Sequence, residues 1–165
     1  MIGRNFVDQM GRKVHVPLEP KRIISLVPSQ TELLHDLGLA SEVIGITKFC
    51  VHPASWFRVK QRIGGTKQLN LELIRSLNPD LIIGNKEENT KEDIEALEKE
   101  FPVWMSDIET LEDAFAMIHS IGVMTEKEDE AELLVEESIE AFAFLQNLGQ
   151  GKTFLYFIWD EPAFV

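Results

Sequence analysis

The chain has 165 residues, 44% of them apolar and 27% charged, with a formal charge of −12 at pH 7. This is the composition of a globular domain able to bury roughly two-thirds of its unfolded surface. No apolar run approaches the roughly 20 residues that span a bilayer, and the acidic balance argues against nucleic acid or anionic lipid as a partner, since both need a basic footprint.

The single cysteine, Cys50, leaves no internal disulfide. Met1 to Gln9 lack the basic and apolar pattern of a secretion signal, which leaves open a cytoplasmic protein or one whose signal has been removed. In chain order, Phe6–Gln9 and Val14–Val16 flank Met10–Lys13, whose Gly11 can supply a tight turn, so a small hairpin is expected. Pro17 and Pro20 make an extended approach to Arg22–Glu32. There Ile23, Ile24, Leu26 and Val27 form a short, partly β-branched run suited to a parallel sheet covered on both faces. Pro28 ends this strand. Ser29 with Glu32 three residues on reads as a capping box, opening a helix that Gly38 closes.

Val43–Ile46 is the second expected strand, and Thr47–Gly65 reads as a long irregular stretch of the kind that serves function or forms a lid. Asn70 is placed to cap a helix over Leu71–Leu77, which Asn78 and Pro79 terminate. Leu81–Ile83 is the third strand and Val103–Met105 the fourth. Thr90 with Asp93 signals a helix to Glu100, and Thr110 with Asp113 one to about Met124. This alternation predicts an α/β fold with a parallel sheet and right-handed crossovers.

In such sheets ligands sit beyond the carboxyl ends of the strands, which here are followed by Pro28–Thr31, Thr47–His52, Gly84–Asn89 and Ser106–Asp107. The start of a helix at Pro28 also turns free amides and a positive helix end toward that crevice. From Glu126 to Leu148 there is no Pro or Gly, and Leu134, Val135, Ile139, Phe142 and Leu145 recur at helical spacing, so one long helix is expected. Glu128, Asp129, Glu132, Glu136 and Glu140 on its other side read as a solvated face. Gly149 and Gly151 end it, and Thr153–Trp159 reads as the first strand of a truncated second lobe. The expected division is an α/β lobe over 1–125, a linking helix over 126–149 and the start of the second lobe over 150–165.

No nucleophile elbow, zincin helix or dinucleotide fingerprint is present, and an enzyme is the weaker class. Gly149–Thr153 resembles the end of a P-loop, but Gln146 replaces its first glycine and the order is helix, loop, strand. Cys50 and His52, two residues apart in an extended loop, are a candidate metal pair, although a structural zinc site needs four ligands. Their alternative role is to pack the loop against Trp56 and Phe57. His15, His35 and His119 are isolated in sequence.

Taken together, Arg22–Glu32, Val43–Ile46, Gly64–Lys67, Asn70–Leu77 and Asn78–Ile83 resemble the N-terminal lobe of the helical-backbone, class III periplasmic binding proteins. These are substrate-binding components of ABC importers for cobalamin, iron-siderophores and haem. The resemblance implies two lobes joined by a rigid helix, a ligand in the shallow cleft between them, and no catalytic residue or required cofactor. It matches Pro28, Ser29 and Gln30 to the first cleft loop, Phe49 to an aromatic position in the second, and Asn85 and Lys86 to the third. Glu72 matches an acid that docks to an arginine of the membrane permease, a role compatible with its place in a first helical turn. Thr66 and Asn85 stand where aromatic residues often line a corrin, which leaves a corrinoid precursor or another metal chelate open. Localisation by resemblance is periplasmic or cell-surface. Two alternatives stay open: a cytoplasmic metal- or tetrapyrrole-handling protein reusing the fold, and an interaction module whose half-cleft self-associates.

Overall fold

A computed structural model describes residues 2–145, 151–153, 155, 159–160 and 163–164. The chain opens on the expected antiparallel hairpin, β1 (Gly3–Val7) with β2 (Lys13–Pro17). Asp8 holds its turn. The buried carboxylate accepts hydrogen bonds from the backbone N–H of Met10 and Arg12 and from the Arg12 guanidinium, at 2.7 to 3.1 Å.

The main body follows as β3 (Ile23–Ser25), α1 (Pro28–Asp36), β4 (Val43–Ile46), α2 (Ala54–Val59), β5 (Gln61–Arg62), the hairpin β6 (Gly64–Gly65) with β7 (Gln68–Leu69), α3 (Leu71–Leu77), β8 (Leu81–Asn85), α4 (Lys91–Leu97), β9 (Val103–Ser106), α5 (Leu111–Thr125) and α6 (Glu128–Leu145). Strands β5-β4-β3-β8-β9, in that order, form one parallel sheet. Successive strand residues point to opposite faces, and both faces are covered. Ile23, Leu81, Ile83 and Trp104 enter a core with Leu34 of α1 and Ile121 of α5. Ile24, Ile82 and Met105 enter a second core with Ile74 of α3 and Ile94 of α4. Each such side chain contributes about 1.5–3 kcal/mol by leaving water, which is why the strands are almost unbroken apolar runs.

Three local expectations need correction. Ser29 does not cap α1: Val27 is the N-cap and Pro28 takes the first helical position, so no capping box forms. Proline suits that position because its φ is already helical and its missing N–H would have had no partner. Thr47–Gly65 is not irregular throughout, since it contains α2 and β5. The edge strand β5 is two exposed polar residues, Gln61 and Arg62, and so carries no apolar pattern to read. The long helix starts at Glu128, because Glu126 adopts φ 58° and caps α5 with its N–H on Gly122 O.

The chain divides into two compact units, Met1–Val135 and Glu136–Val165, with the division inside α6. In the second unit β10 (Trp159–Asp160) pairs antiparallel with β11 (Ala163–Phe164). The strand expected over 153–159 lies partly outside the described residues; Thr153 and Leu155 are not in a strand, and Trp159 begins β10. The helix end expected at Leu148 and the stop at Gly149 also fall outside them. Among the described residues no helix is long and apolar enough to cross a membrane.

Candidate functional site

From β3 the chain first crosses to β4 on one side and later returns to β8 on the other. The loops after β3 and β8 therefore diverge, and a crevice opens between them at the carboxyl edge of the sheet. A cavity of about 360 Å³ lies there, lined by Val27, Pro28, Ser29, Phe49, Thr66 and Glu88. Val27, Pro28 and Ser29 come from the junction of β3 and α1, Phe49 from the loop after β4, and Glu88 from the loop after β8. Thr66 comes from the turn of the β6–β7 hairpin.

The walls are held by short-range geometry. Phe49 is 52% exposed, and the Lys48 ammonium lies over its ring at 5.2 Å from the centroid. Both pass close to Gly65, where a Cβ would sit 3.2 Å from the Phe49 ring and 3.3 Å from Lys48 Cε. Asn85 builds the turn that presents Glu88: its Oδ1 accepts from the N–H of Glu87 and Glu88 at 3.0 and 3.1 Å. Its Nδ2 points into the sheet and donates to Ser106 Oγ at 3.0 Å. Asn85 therefore shapes the wall from behind.

Gln30 lies deeper still. Only 1% exposed, it donates through Nε2 to Gly84 O at 3.0 Å and Ser106 Oγ at 2.7 Å. It ties the start of α1 to the carboxyl ends of β8 and β9. Its Oε1 is buried without a hydrogen-bond partner among the described residues.

Lys86 is exposed and pairs with Asp107 at 2.6 Å, while the Asp107 N–H donates to Gln9 Oε1 at 3.0 Å. The hydrogen bond and then the charge of Asp107 raise the Lys86 pKa above the ordinary lysine value, so the ammonium stays charged through neutral pH. It lines a separate hollow of about 350 Å³ with Met10, Arg12, Ile94 and Met105, and does not line the first cavity.

Of the sequence candidates, the structure thus brings Pro28, Ser29 and Phe49 to one cavity, puts Gln30 and Asn85 behind its walls, and sets Lys86 to the side. Glu72 is exposed in the first turn of α3, away from the cavity lining. Cys50 and His52 do not converge. Cys50 is fully buried, its Sγ 3.1 Å from both Thr31 Oγ1 and Thr47 Oγ1. His52 is exposed in a shallow hollow with Glu32, His35 and Asp36. Among the described residues no group of three or more His, Cys, Asp or Glu is disposed to hold a metal ion.

Thr66, which the resemblance sets where an aromatic residue often lines the cleft, is on the cavity wall, whereas Glu88 enters the sequence analysis only within the segment Gly84–Asn89. An asparagine two and three residues before Glu87 and Glu88 is an Asx-turn pattern, and that was the available signal for Glu88. A larger hollow, about 630 Å³, lies beside the amino end of β9 between Arg12, His15 and Glu98 to Val103. It is at the wrong end of β9 for a ligand site of this sheet type.

A parallel sheet whose order reverses at a strand-end cavity is the arrangement in which open α/β sheets take their ligands. Residues 23–159 match the periplasmic binding protein family, and the chain belongs to that family. The vitamin B12-binding protein of Pectobacterium carotovorum subsp. carotovorum (strain PC1) is 27% identical over 134 residues, which are 81% of this chain and 48% of that protein. Among solved structures, the siderophore-binding protein BauB, bound to a complex between two molecules of acinetobactin and ferric iron, superposes with TM-score 0.81 at 20% identity, over 92% of this chain and 56% of that one. The periplasmic vitamin B12-binding protein BtuF of Vibrio cholerae superposes with TM-score 0.78 at 21% identity, over 89% and 59%. At these identities the structural matches establish the fold. The chain spans about half the length of the curated relatives it matches.

Proposed function

We propose that this chain supplies one lobe of a substrate-binding protein of an ABC importer, and that its ligand is a metal chelate such as a corrinoid, an iron-siderophore complex or haem. The observation that carries this is the cavity at the point where strand order reverses, with Pro28, Ser29 and Phe49 on its walls. The names of the relatives, which bind vitamin B12 or a ferric siderophore complex, support the ligand class. Such a site needs no catalytic residue and no resident cofactor. An exposed aromatic ring backed by a cation offers a broad face to a planar or bulky chelate, and the buried polar ties behind it keep that face in place.

In this reading 1–125 form the N-terminal lobe, 126–149 the interlobe helix and 150–165 the beginning of the second lobe, and the protein works in the periplasm or at the cell surface. Exposed Glu72 docks to a basic residue of the permease. Reversing its charge, Glu72→Arg, is expected to lower transport in vesicles carrying the permease while chelate affinity is unchanged; an unaltered transport rate rejects the docking role. The ligand reading is tested by titrating the chain with dicyanocobinamide, cyanocobalamin, haemin and a ferric catecholate siderophore, following ligand absorbance. Saturable binding of one of them, weakened by Phe49→Ala, is the expected result.

A further inference from the structure

Asn89 does not line the 360 Å³ cavity but borders the separate hollow beside Lys86, and it is 94% removed from solvent, with a relative exposure of 6%. Its carboxamide joins two segments that do line the cavity. Oδ1 accepts the N–H of Asn85 at 2.9 Å, at the base of the turn that presents Glu88. Nδ2 donates to the carbonyl of Thr66 at 3.0 Å, in the turn of the β6–β7 hairpin. The amide is seated against the sheet only because residue 84 is glycine: a Cβ there would lie 2.7 Å from Asn89 Oδ1 and 2.7 Å from Met105 Sδ. Nearby contacts run the same way. Asp93 of α4 accepts the N–H of Leu69 at 3.2 Å, and the Lys67 ammonium donates to Glu87 O.

The β6–β7 hairpin is two residues per strand and cannot hold its own place. Asn89 is its one buried side-chain tie to the loop after β8 among these three, and a buried amide bond with both ends satisfied resists opening far better than an exposed one. We propose that Asn89 is a positioning residue for ligand capture: its buried carboxamide fixes the spacing between Thr66 on one wall and Glu88 on another before a ligand arrives. The proposal rests on the reading of this cavity as the ligand site.

The test is amide hydrogen exchange on the full chain, unliganded, with two variants. Asn89→Asp keeps the acceptor for the Asn85 N–H but sets a carboxylate oxygen against Thr66 O. Exchange at residues 64–69 is expected to quicken by about tenfold, the equivalent of one hydrogen bond lost, with Asn85 and Leu81–Ile83 unchanged. Asn89→Ala adds no charge; it should quicken the same hairpin and also deprotect Asn85. A hairpin unaffected by Asn89→Asp, or exchange that rises equally throughout the sheet, overturns the proposal. In a second arm dicyanocobinamide and a ferric catecholate siderophore are titrated into each form. If either binds the parent chain, its affinity should fall about tenfold in Asn89→Asp at a temperature where both forms remain fully folded, and equal affinity again overturns the role in capture. If neither probe binds the parent chain, the choice of chelate fails while the exchange arm still decides the clamp.

Discussion

Phe49 on the cavity wall and Gln30 behind it lie at opposite extremes of burial, 52% and 1% exposed, and they should answer truncation in opposite ways. Phe49→Ala removes a ring that packs little in the free protein, so unfolding free energy should change by no more than about 0.5 kcal/mol, while chelate binding weakens. Gln30→Ala strips Ser106 Oγ and Gly84 O of a buried donor and should lower stability by about 1–3 kcal/mol in urea unfolding. The sequence put both residues at the carboxyl edge of the sheet but held no means to separate them. Within α1 it is helix phase that sorts Gln30 from Ser29: with Pro28 at the first helical position, Ser29 turns outward and Gln30 turns under the sheet edge. Proline also accounts for the missing cap at Ser29. The same limit applies to Cys50 and His52, which are neighbours in sequence, whereas Cys50 is buried among hydroxyls and His52 is in solvent.

At the scale of elements, two identical signals end differently. Thr90 with Asp93 and Thr110 with Asp113 both have capping-box spacing, yet only the second closes the box. Asp93 is drawn instead to the N–H of Leu69 on β7, a tertiary contact that no local pattern reveals. Thr110→Ala should therefore cost about 1 kcal/mol, and Thr90→Ala no more than about 0.5 kcal/mol, by chemical denaturation.

The box also predicts a pH dependence. The Thr110 hydroxyl first, and the N–H groups of Glu109 and Thr110 after it, hold the Asp113 carboxyl below its ordinary pKa. A depressed native pKa means that this contribution is complete above the unfolded value, about 3.9, and disappears as pH falls through the lower native value. Stability measured on descending from pH 5 should fall less steeply in Asp113→Asn than in the parent chain; equal slopes would remove Asp113 from the acid response. Where the elements are long or apolar, the sequence announced them well. Strands β3, β4, β8 and β9 were legible because both faces of the sheet are covered and their residues are almost all apolar. The polar edge strand β5 and the break at Glu126 were not, since one lacks a hydrophobic pattern and the other is a backbone conformation.

For the molecule as a whole, a general property of parallel sheets puts the candidate ligand edge at the carboxyl ends of the strands, and a cavity lies on that edge where strand order reverses. The identity of the ligand was not legible, because the wall side chains are few and generic: one phenyl ring, two hydroxyls, one carboxylate, a valine and a proline. Membership of the periplasmic binding protein family sets the class of lobe, and the account stands on that cavity being the place of capture. The most direct measurement is native mass spectrometry of the chain with dicyanocobinamide, cyanocobalamin, haemin and a ferric catecholate siderophore in turn, repeated with Phe49→Ala. The account predicts a single one-to-one adduct with one chelate, depleted in the variant. An adduct equally abundant in both forms, or none with any chelate, would contradict it.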